Sequence, residues 1–470
     1  MVSDLRVEKD GADPFVESME RVGIPEAAIA SFRFHLARLA AGDRGTLSEE
    51  AIRPLDDIAD AASLQSYQGP GAEALRRVAV LKLNGGLGTS MGLELAKSLL
   101  EVRDGLSFLD LIARQILALR SEVGAEVPLL LMDSFRTADD ARRALGRYPG
   151  LARDDLPLSF LQHRVPKVDA ETLLPASHPA DAELEWCPPG HGDLYTALAT
   201  SGVLELLLDA GLEYAFVSNA DNLGAVLDPV LLGYMVAEGL DFMLEAADRT
   251  AADRKGGHLC RLANGRLALR ESAQCPPGSE AAFQDTGRYC YFNTNNVWLN
   301  LPALARALAG HGGFLPLPTL VNRKTVDPRD PSSPAVFQLE TAMGSAISFF
   351  ERAAAVRVPR RRFSPVKNTD DLLAARSDAY ELNDDWLLRL HADREAPPAI
   401  RLDPAHYQLI DAFEERFPHG PPSLRGCRSL NVEGDITFGA GVVVDGDVVV
   451  RASRPTTIPD DTILSGTCVF

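Results

Sequence analysis

Residues 81–98 read LKLNGGLGTSMGLELAKS, and the reading of this stretch decides the fold. The run that leads into it, RRVAVLKL, is short, apolar and rich in β-branched residues, as a buried strand requires. Gly85, Gly86, Gly88 and Gly92 then form a turn whose bare backbone lets a base or an anion approach closely. Lys97 and Ser98 follow. Two standard templates nearly fit. A dinucleotide fingerprint needs G-x-G-x-x-G, but Gly86, Gly88 and Gly92 are spaced G-x-G-x-x-x-G. A P-loop needs G-x-x-x-x-G-K-[ST], but Ala96 precedes Lys97 and Met91 stands where the first glycine belongs. Two readings remain open: a looser nucleotide loop with Lys97 reaching back to phosphates, or a sharp strand-to-helix turn without a ligand.

Outward from this turn the pattern alternates. SFLDLIARQILALRSEVG reads as an amphipathic helix, EVPLLLMDS as a buried strand, ADDARRALGRY as a helix and LPLSFLQ as a strand. GVLELLLDAGL is a further helix, EYAFVSNAD a strand and PVLLGYMVAEGL a helix. Such alternation predicts an α/β core with a mostly parallel sheet covered on both faces. Ligands of such sheets lie beyond the carboxyl ends of the strands, where the glycine turn and SNAD both fall. Before the core, residues 1–75 read as a helical segment around GIPEAAIASFRFHLARLAAG, which opens on proline and closes on glycine. Residues 76–380 form the core. Residues 381–470 begin as a mixed connection and become, near 427, short β-runs separated by Gly-Asp and Gly-Ala turns. That near-hexapeptide spacing suggests a small β-solenoid or sandwich.

Composition narrows the function. The chain has 470 residues, 46% of them hydrophobic, and a net charge of −19. So acidic a surface repels nucleic acid unless a basic patch is concentrated somewhere. The one dense cluster, RVPRRRF at 357–363, reads as a solvated loop. Neither a membrane span nor a secretory signal is expected, because no apolar run is long enough and the first twenty residues are acidic. Six cysteines without a C-x-x-C pair predict reduced thiols in a cytoplasmic protein.

Three constellations carry candidate chemistry. WCPPGHGDLYTAL presents His191 between Gly190 and Gly192, just before a helix whose start could face an anion. FVSNADNLGA places Asp221 at a strand end, where one carboxylate suffices to hold Mg²⁺ against phosphate oxygens; the bland alternative is an Asx turn. RKGGHLCR, LRESAQ and FNTNNVW supply Gly257, Glu271, Asn293 and Asn295, which could bind sugar hydroxyls or serve only turns and an edge strand. FSPVKNTDDLL puts Lys367 before a capped helix.

In this order the motifs resemble the eukaryotic-type UTP–glucose-1-phosphate uridylyltransferase family. The resemblance runs over about residues 76–375 through LNGGLGTSMG, FLDL, PLLLMDSF, PPGHGD, SNADNLGA, KGG, FNTNNVW, QLETAMGSAISFF and PVKNTDDLL. It implies a glycosyltransferase-A-like, Rossmann-like mixed-sheet core with a helical N-terminal segment and a C-terminal left-handed β-helix. It also implies a reaction: UTP and glucose 1-phosphate give UDP-glucose and pyrophosphate, with Mg²⁺. Carried over by position, Leu83, Asn84, Gly85, Gly86, Gln162, Gly190 and Asn219 would bind the nucleotide. His191, Gly257, Glu271, Asn293 and Asn295 would hold the sugar phosphate, Asp221 the metal, and Lys97 and Lys367 would neutralise the phosphates. The runners-up are the same chemistry on another sugar 1-phosphate and a non-catalytic nucleotide-sugar binding protein. The sequence leaves oligomeric state open, an exposed β-helix edge being one route to a homo-oligomer.

One departure stands out. The family loop usually continues Met-Gly-Cys-Lys-Gly-Pro-Lys-Ser, whereas this chain reads MGLELAKS, with Glu94 in place of the first lysine. On a helix Glu94 and Lys97 would pair and partly occupy the lysine meant for phosphate.

Overall fold

The computed structural model describes residues 13–93, 95–250 and 253–470. Glu94 and the first twelve residues therefore lie outside it. The expected strands form: Val78–Asn84, Leu129–Asp133, Ser159–Leu161 and Tyr214–Asn219. They belong to one sheet with the order Ala59–Asp60, Ala353–Arg357, Phe242–Asp248, Tyr291–Asn300, Tyr214–Asn219, Val78–Asn84, Leu129–Asp133, Ser159–Leu161. Pairing is parallel throughout this path except at Tyr291–Asn300, which runs antiparallel to both neighbours. FNTNNVW is thus a central strand, not an edge strand. Its antiparallel course brings Asn293 and Asn295 to the edge where Asn84, Asp133 and Asn219 end.

Strand alternation fills both faces. Val80, Leu129, Leu131 and Phe216 point into one apolar cluster, while Ala79, Leu81, Leu130 and Val217 point into another. Helices Phe108–Val123, Ala138–Leu145, Leu194–Thr200, Val203–Asp209 and Pro229–Ala237 accompany the sheet. Sequence explains their limits. Ser107 and Asp110 form a capping box at the start of the first, and Gly124 closes it in the left-handed conformation.

The N-terminal segment contains the expected helix Glu26–Ala40 and a shorter one at Pro14–Arg21. It also contributes strands. Ala59–Asp60 extends the central sheet, and Ile52–Arg53 pairs with Leu262 and Arg261 of a hairpin, so residues 1–75 are not purely helical. At the other end, Ala399–Arg401, Cys427–Glu433, Val443–Arg451 and Ile463–Val469 pair in parallel, and so do Ile436–Phe438 and Thr456–Ile458. Among the described residues no helix is long and apolar enough to cross a membrane.

The basic cluster is not a solvated loop. Arg357 bonds Asp248 and Asp60, Arg360 bonds Asp253, and Arg362 is buried against Glu245. Glu245 is fully enclosed and accepts from Arg362 Nη2 (2.6 Å) and Nε (2.8 Å), Trp298 Nε1 (2.9 Å) and Asn296 Nδ2 (3.0 Å). Removing one partner of such a pair strands the other charge in the core. Glu245→Ala is expected to cost about 3–5 kcal/mol in urea unfolding. A loss under roughly 1 kcal/mol, the range of exposed pairs, would show the network to be dispensable.

Candidate active site

The glycine turn leaves the Val78–Asn84 strand and folds as two 3-10 turns, Thr89–Met91 and Lys97–Leu99, with Gly88 and Gly92 at positive φ. Lys97 N donates to Gly86 O (3.1 Å), which closes the loop on itself. Leu83 O accepts from Ala220 N (3.0 Å), so Leu83, Asn84 and Asn219 meet at adjacent strand ends. Gly85 lies against Gln162: a Cβ there would stand 2.7 Å from Gln162 Nε2 and would push that amide aside. Gly86 faces open space. Beneath them Asn84 Nδ2 donates to Asp133 Oδ1 (2.6 Å), and Asp133 O accepts from Gln162 N (2.8 Å). Burial raises the Asp133 carboxyl to about 6.

The central finding is one ion pair. Lys97 Nζ lies 2.7 Å from Asp221 Oδ2, with both side chains largely buried. Lys97 is thus engaged by the strand-end aspartate, 124 residues away in sequence. The other oxygen, Asp221 Oδ1, is buried without a hydrogen-bond partner. A buried carboxylate oxygen without a donor is a fit position for a divalent cation, and one carboxylate is enough for Mg²⁺, which keeps most of its waters. No group of three or more His, Cys, Asp and Glu suited to a metal occurs among the described residues.

Lys367 belongs to the same neighbourhood. Val366 N donates to Asp221 O (3.1 Å), and Ser364 N donates to Asn222 Oδ1 (3.0 Å). The Lys367 backbone N–H is tied to Asp371 Oδ2 (2.7 Å), which leaves its exposed ammonium near the ring of Phe363. Burial raises the Asp371 carboxyl, and the charges of Lys367 and Lys97 oppose that shift. Asn222 does close a turn, through Asn222 N to Asn219 O (3.2 Å), and this turn presents Asp221.

His191 sits in the Pro-Pro-Gly-His-Gly loop. Gly190 has φ +81°, and a Cβ there would meet Thr341 O at 2.4 Å. His191 Nδ1 accepts from Met343 N (3.0 Å), so the proton of the neutral ring lies on Nε2. Desolvation pulls its pKa down to about 4, although part of its surface stays exposed. The ring therefore offers an uncharged N–H donor.

Gly257, Glu271, Asn293 and Asn295 form the remaining wall. A Cβ on Gly257 would lie 2.6 Å from Glu271 Oε2. Asn293 Nδ2 donates to Asn295 Oδ1 (2.9 Å), and Asn295 N donates to Asn293 Oδ1 (3.0 Å). Asn295 adopts φ +57°, a strained conformation of the kind found where side chains are aimed at ligands. Burial raises the Glu271 carboxyl, opposed by Asn293 and by the charge of Lys367.

Several supporting residues were not read from sequence. Lys82 is enclosed and donates to Ser218 Oγ and Ala225 O, both at 2.7 Å, bracing the Asp221 loop. Desolvation, with Arg362 nearby, brings its pKa to about 7. A lysine inside an otherwise apolar strand run was the signal. Asp133 and Thr341 lie inside PLLLMDSF and QLETAMGSAISFF without a sequence signal of their own.

Comparison with known proteins decides the family. The family described as UTP–glucose-1-phosphate uridylyltransferase matches residues 30–445. The chain belongs to that family. It is 40% identical to the probable UTP–glucose-1-phosphate uridylyltransferase of Schizosaccharomyces pombe over 425 residues, 90% of this chain and 82% of the relative. UDP-glucose phosphorylase from Trypanosoma brucei superposes with a TM-score of 0.90 at 44% identity, covering 97% and 99% of the two chains. UDP-glucose pyrophosphorylase from Leishmania major, known in open and closed structures, gives 0.91 at 43% identity, over 97% and 98%.

Within this family frame Asp221 carries a direct test. Asp221→Asn is expected to weaken Mn²⁺ binding, read by electron paramagnetic resonance with UTP present, by at least about tenfold. Unchanged Mn²⁺ binding would place the cation elsewhere.

Proposed function

We propose that this chain is a UTP–glucose-1-phosphate uridylyltransferase, converting UTP and glucose 1-phosphate to UDP-glucose and pyrophosphate. The observation that carries the reading is the Lys97–Asp221 pair with the unpartnered Asp221 Oδ1. It lies between the Gly85–Gln162 contact and the polar wall of Glu271 and Asn293. A triphosphate with its cation would satisfy both members at once: phosphate oxygens for Lys97 and a cation for Asp221.

In this reading Leu83, Asn84, Gly85, Gly86, Gly190 and Asn219 line the nucleotide, and the Gln162 amide reads the uracil edge. His191 donates a hydrogen bond from Nε2–H to the sugar phosphate. Gly257, Glu271, Asn293 and Asn295 hold the sugar hydroxyls. A phosphate oxygen of glucose 1-phosphate attacks the α-phosphorus of UTP, a new P–O bond forms, and the bond to pyrophosphate breaks with its electron pair leaving on pyrophosphate. The nucleophile is already anionic, so no general base is needed. Catalysis is then positioning and charge stabilisation by Lys97 and Lys367. Mg²⁺, held by Asp221, would neutralise phosphate charge.

The same reading divides the chain into an N-terminal segment (1–75), a catalytic core (76–380) and a C-terminal unit (381–470). The parallel coils of that unit support a left-handed β-helix. Its last strand, Ile463–Val469, ends in exposed Ile463 and Val469, a route to self-association through the C-terminal domain. A cytoplasmic location belongs to this reading and is supported by the unpaired state of all the cysteines.

Pyrophosphate release with UTP against a panel of sugar 1-phosphates tests the proposal. Glucose 1-phosphate should lead the panel. Another leading sugar would move the substrate, and nucleotide binding without release from any sugar would indicate a sensor. Lys367→Ala should lower kcat by roughly 10²–10³, by analogy with deleting one oxyanion donor, and near-normal turnover would remove Lys367 from the mechanism.

A further inference from the structure

Residues 47–53 grip the hairpin that carries Gly257 and Glu271 at three points. Leu47 N donates to Gln274 O (2.8 Å), Glu49 bonds Arg270, and Ile52–Arg53 pairs with Leu262 and Arg261. Glu271 lies between two of these anchors, residues 270 and 274. It also opens the turn Ser272–Gln274 through a reciprocal capping box with Gln274.

Hairpin register adds the decisive relation. His258 and Arg270 are direct cross-strand partners, and Gly257 and Glu271 are the next pair outward. Successive residues on a strand face opposite ways, so Arg270 points away from the cleft that Glu271 lines. Arg270 is fully buried. Its Nη1 bonds Glu49, its Nε and Nη2 have no hydrogen-bond partner, and its guanidinium lies 5.5 Å from the ring centre of Phe283. Glu49 uses its second oxygen to accept from Tyr289 Oη (2.7 Å) and to pair with Arg288 (3.1 Å). Tyr289 in turn stacks on His258 at 4.0 Å. One carboxylate from the N-terminal segment therefore holds both strands directly behind the polar wall. Burial opposes the Glu49 charge, but the bonds from Tyr289 and Arg270 outweigh it and hold the carboxyl below its usual range.

We propose that Glu49 is a positioning residue for the sugar subsite: through Arg270 and Tyr289 it sets the placement of Gly257 and Glu271. The N-terminal segment thereby tunes affinity for the sugar phosphate without touching it. This rests on the reading of Glu271 and its neighbours as sugar-binding.

Glu49→Gln in the full chain tests it by steady-state kinetics with each substrate varied. The KM for glucose 1-phosphate should rise roughly 3- to 30-fold while that for UTP stays within about twofold. Glu49→Asp, which keeps the charge, should recover part of the loss. A folded Glu49→Gln with an unchanged sugar KM, or with both KM values raised alike, overturns the proposal. If the single change prevents folding because it strands the Arg270 charge, Glu49→Gln with Arg270→Met removes both charges. The same sugar-specific rise is required of that double variant, and a normal sugar KM would refute the link. Glu271→Ala separates the two layers of inference. An unmoved sugar KM there overturns the subsite reading and this proposal with it. A raised one beside a normal Glu49→Gln overturns the Glu49 link alone.

Discussion

The site is organised around a charge pair at the ends of two adjacent parallel strands. Val78–Asn84 and Tyr214–Asn219 run side by side, so the loops that follow them must meet. One loop brings Lys97 and the other brings Asp221, and the two charges neutralise each other at 2.7 Å. Neither could be left alone there without a large desolvation cost. A bound triphosphate with its cation would exchange one pair for two: lysine with phosphate, and carboxylate with metal. The pair keeps Lys97 in place at the strand ends without leaving either charge bare.

That exchange demands a rigid floor. Glu245 and Arg362 supply it beneath the Asp221 loop, with Asn222 and Asn296 hydrogen-bonded to the same backbone carbonyl of Arg362. Lys82 braces the loop from the strand below. Tethers from Val366 and Ser364 fix the Lys367 segment to the same loop. Both lysines thus hang from one buried polar network, which makes their positions geometrically interdependent. Gly257 and Glu271 of the polar wall are held differently, by a hairpin pinned from behind by the N-terminal segment.

Much of this was legible in sequence where the signal is local. The strand, turn and helix boundaries of the core followed from apolar periodicity, capping residues and glycine, and they placed Asp221 and the glycine turn at one sheet edge. Tertiary facts were not legible. Sequence offers Glu94, three residues away, as a partner for Lys97 and gives no sign of Asp221, which bonds it from a loop 124 residues on. The 357–363 arginines read as solvent-facing because their neutralising carboxylates, Asp60, Asp248, Asp253 and Glu245, are scattered through the chain. The strands Ile52–Arg53 and Ala59–Asp60 are too short to show a period. The positive φ of Asn295 lies inside what reads as an ordinary strand.

Isotope exchange tests the account most directly. Labelled pyrophosphate is supplied to the protein with UDP-glucose, and label is followed into UTP. Direct attack on the α-phosphorus predicts label in UTP that requires UDP-glucose and a divalent cation and is lost in Lys367→Ala. No incorporation, by a protein that still binds UDP-glucose, would contradict the assignment of uridylyl transfer to this site.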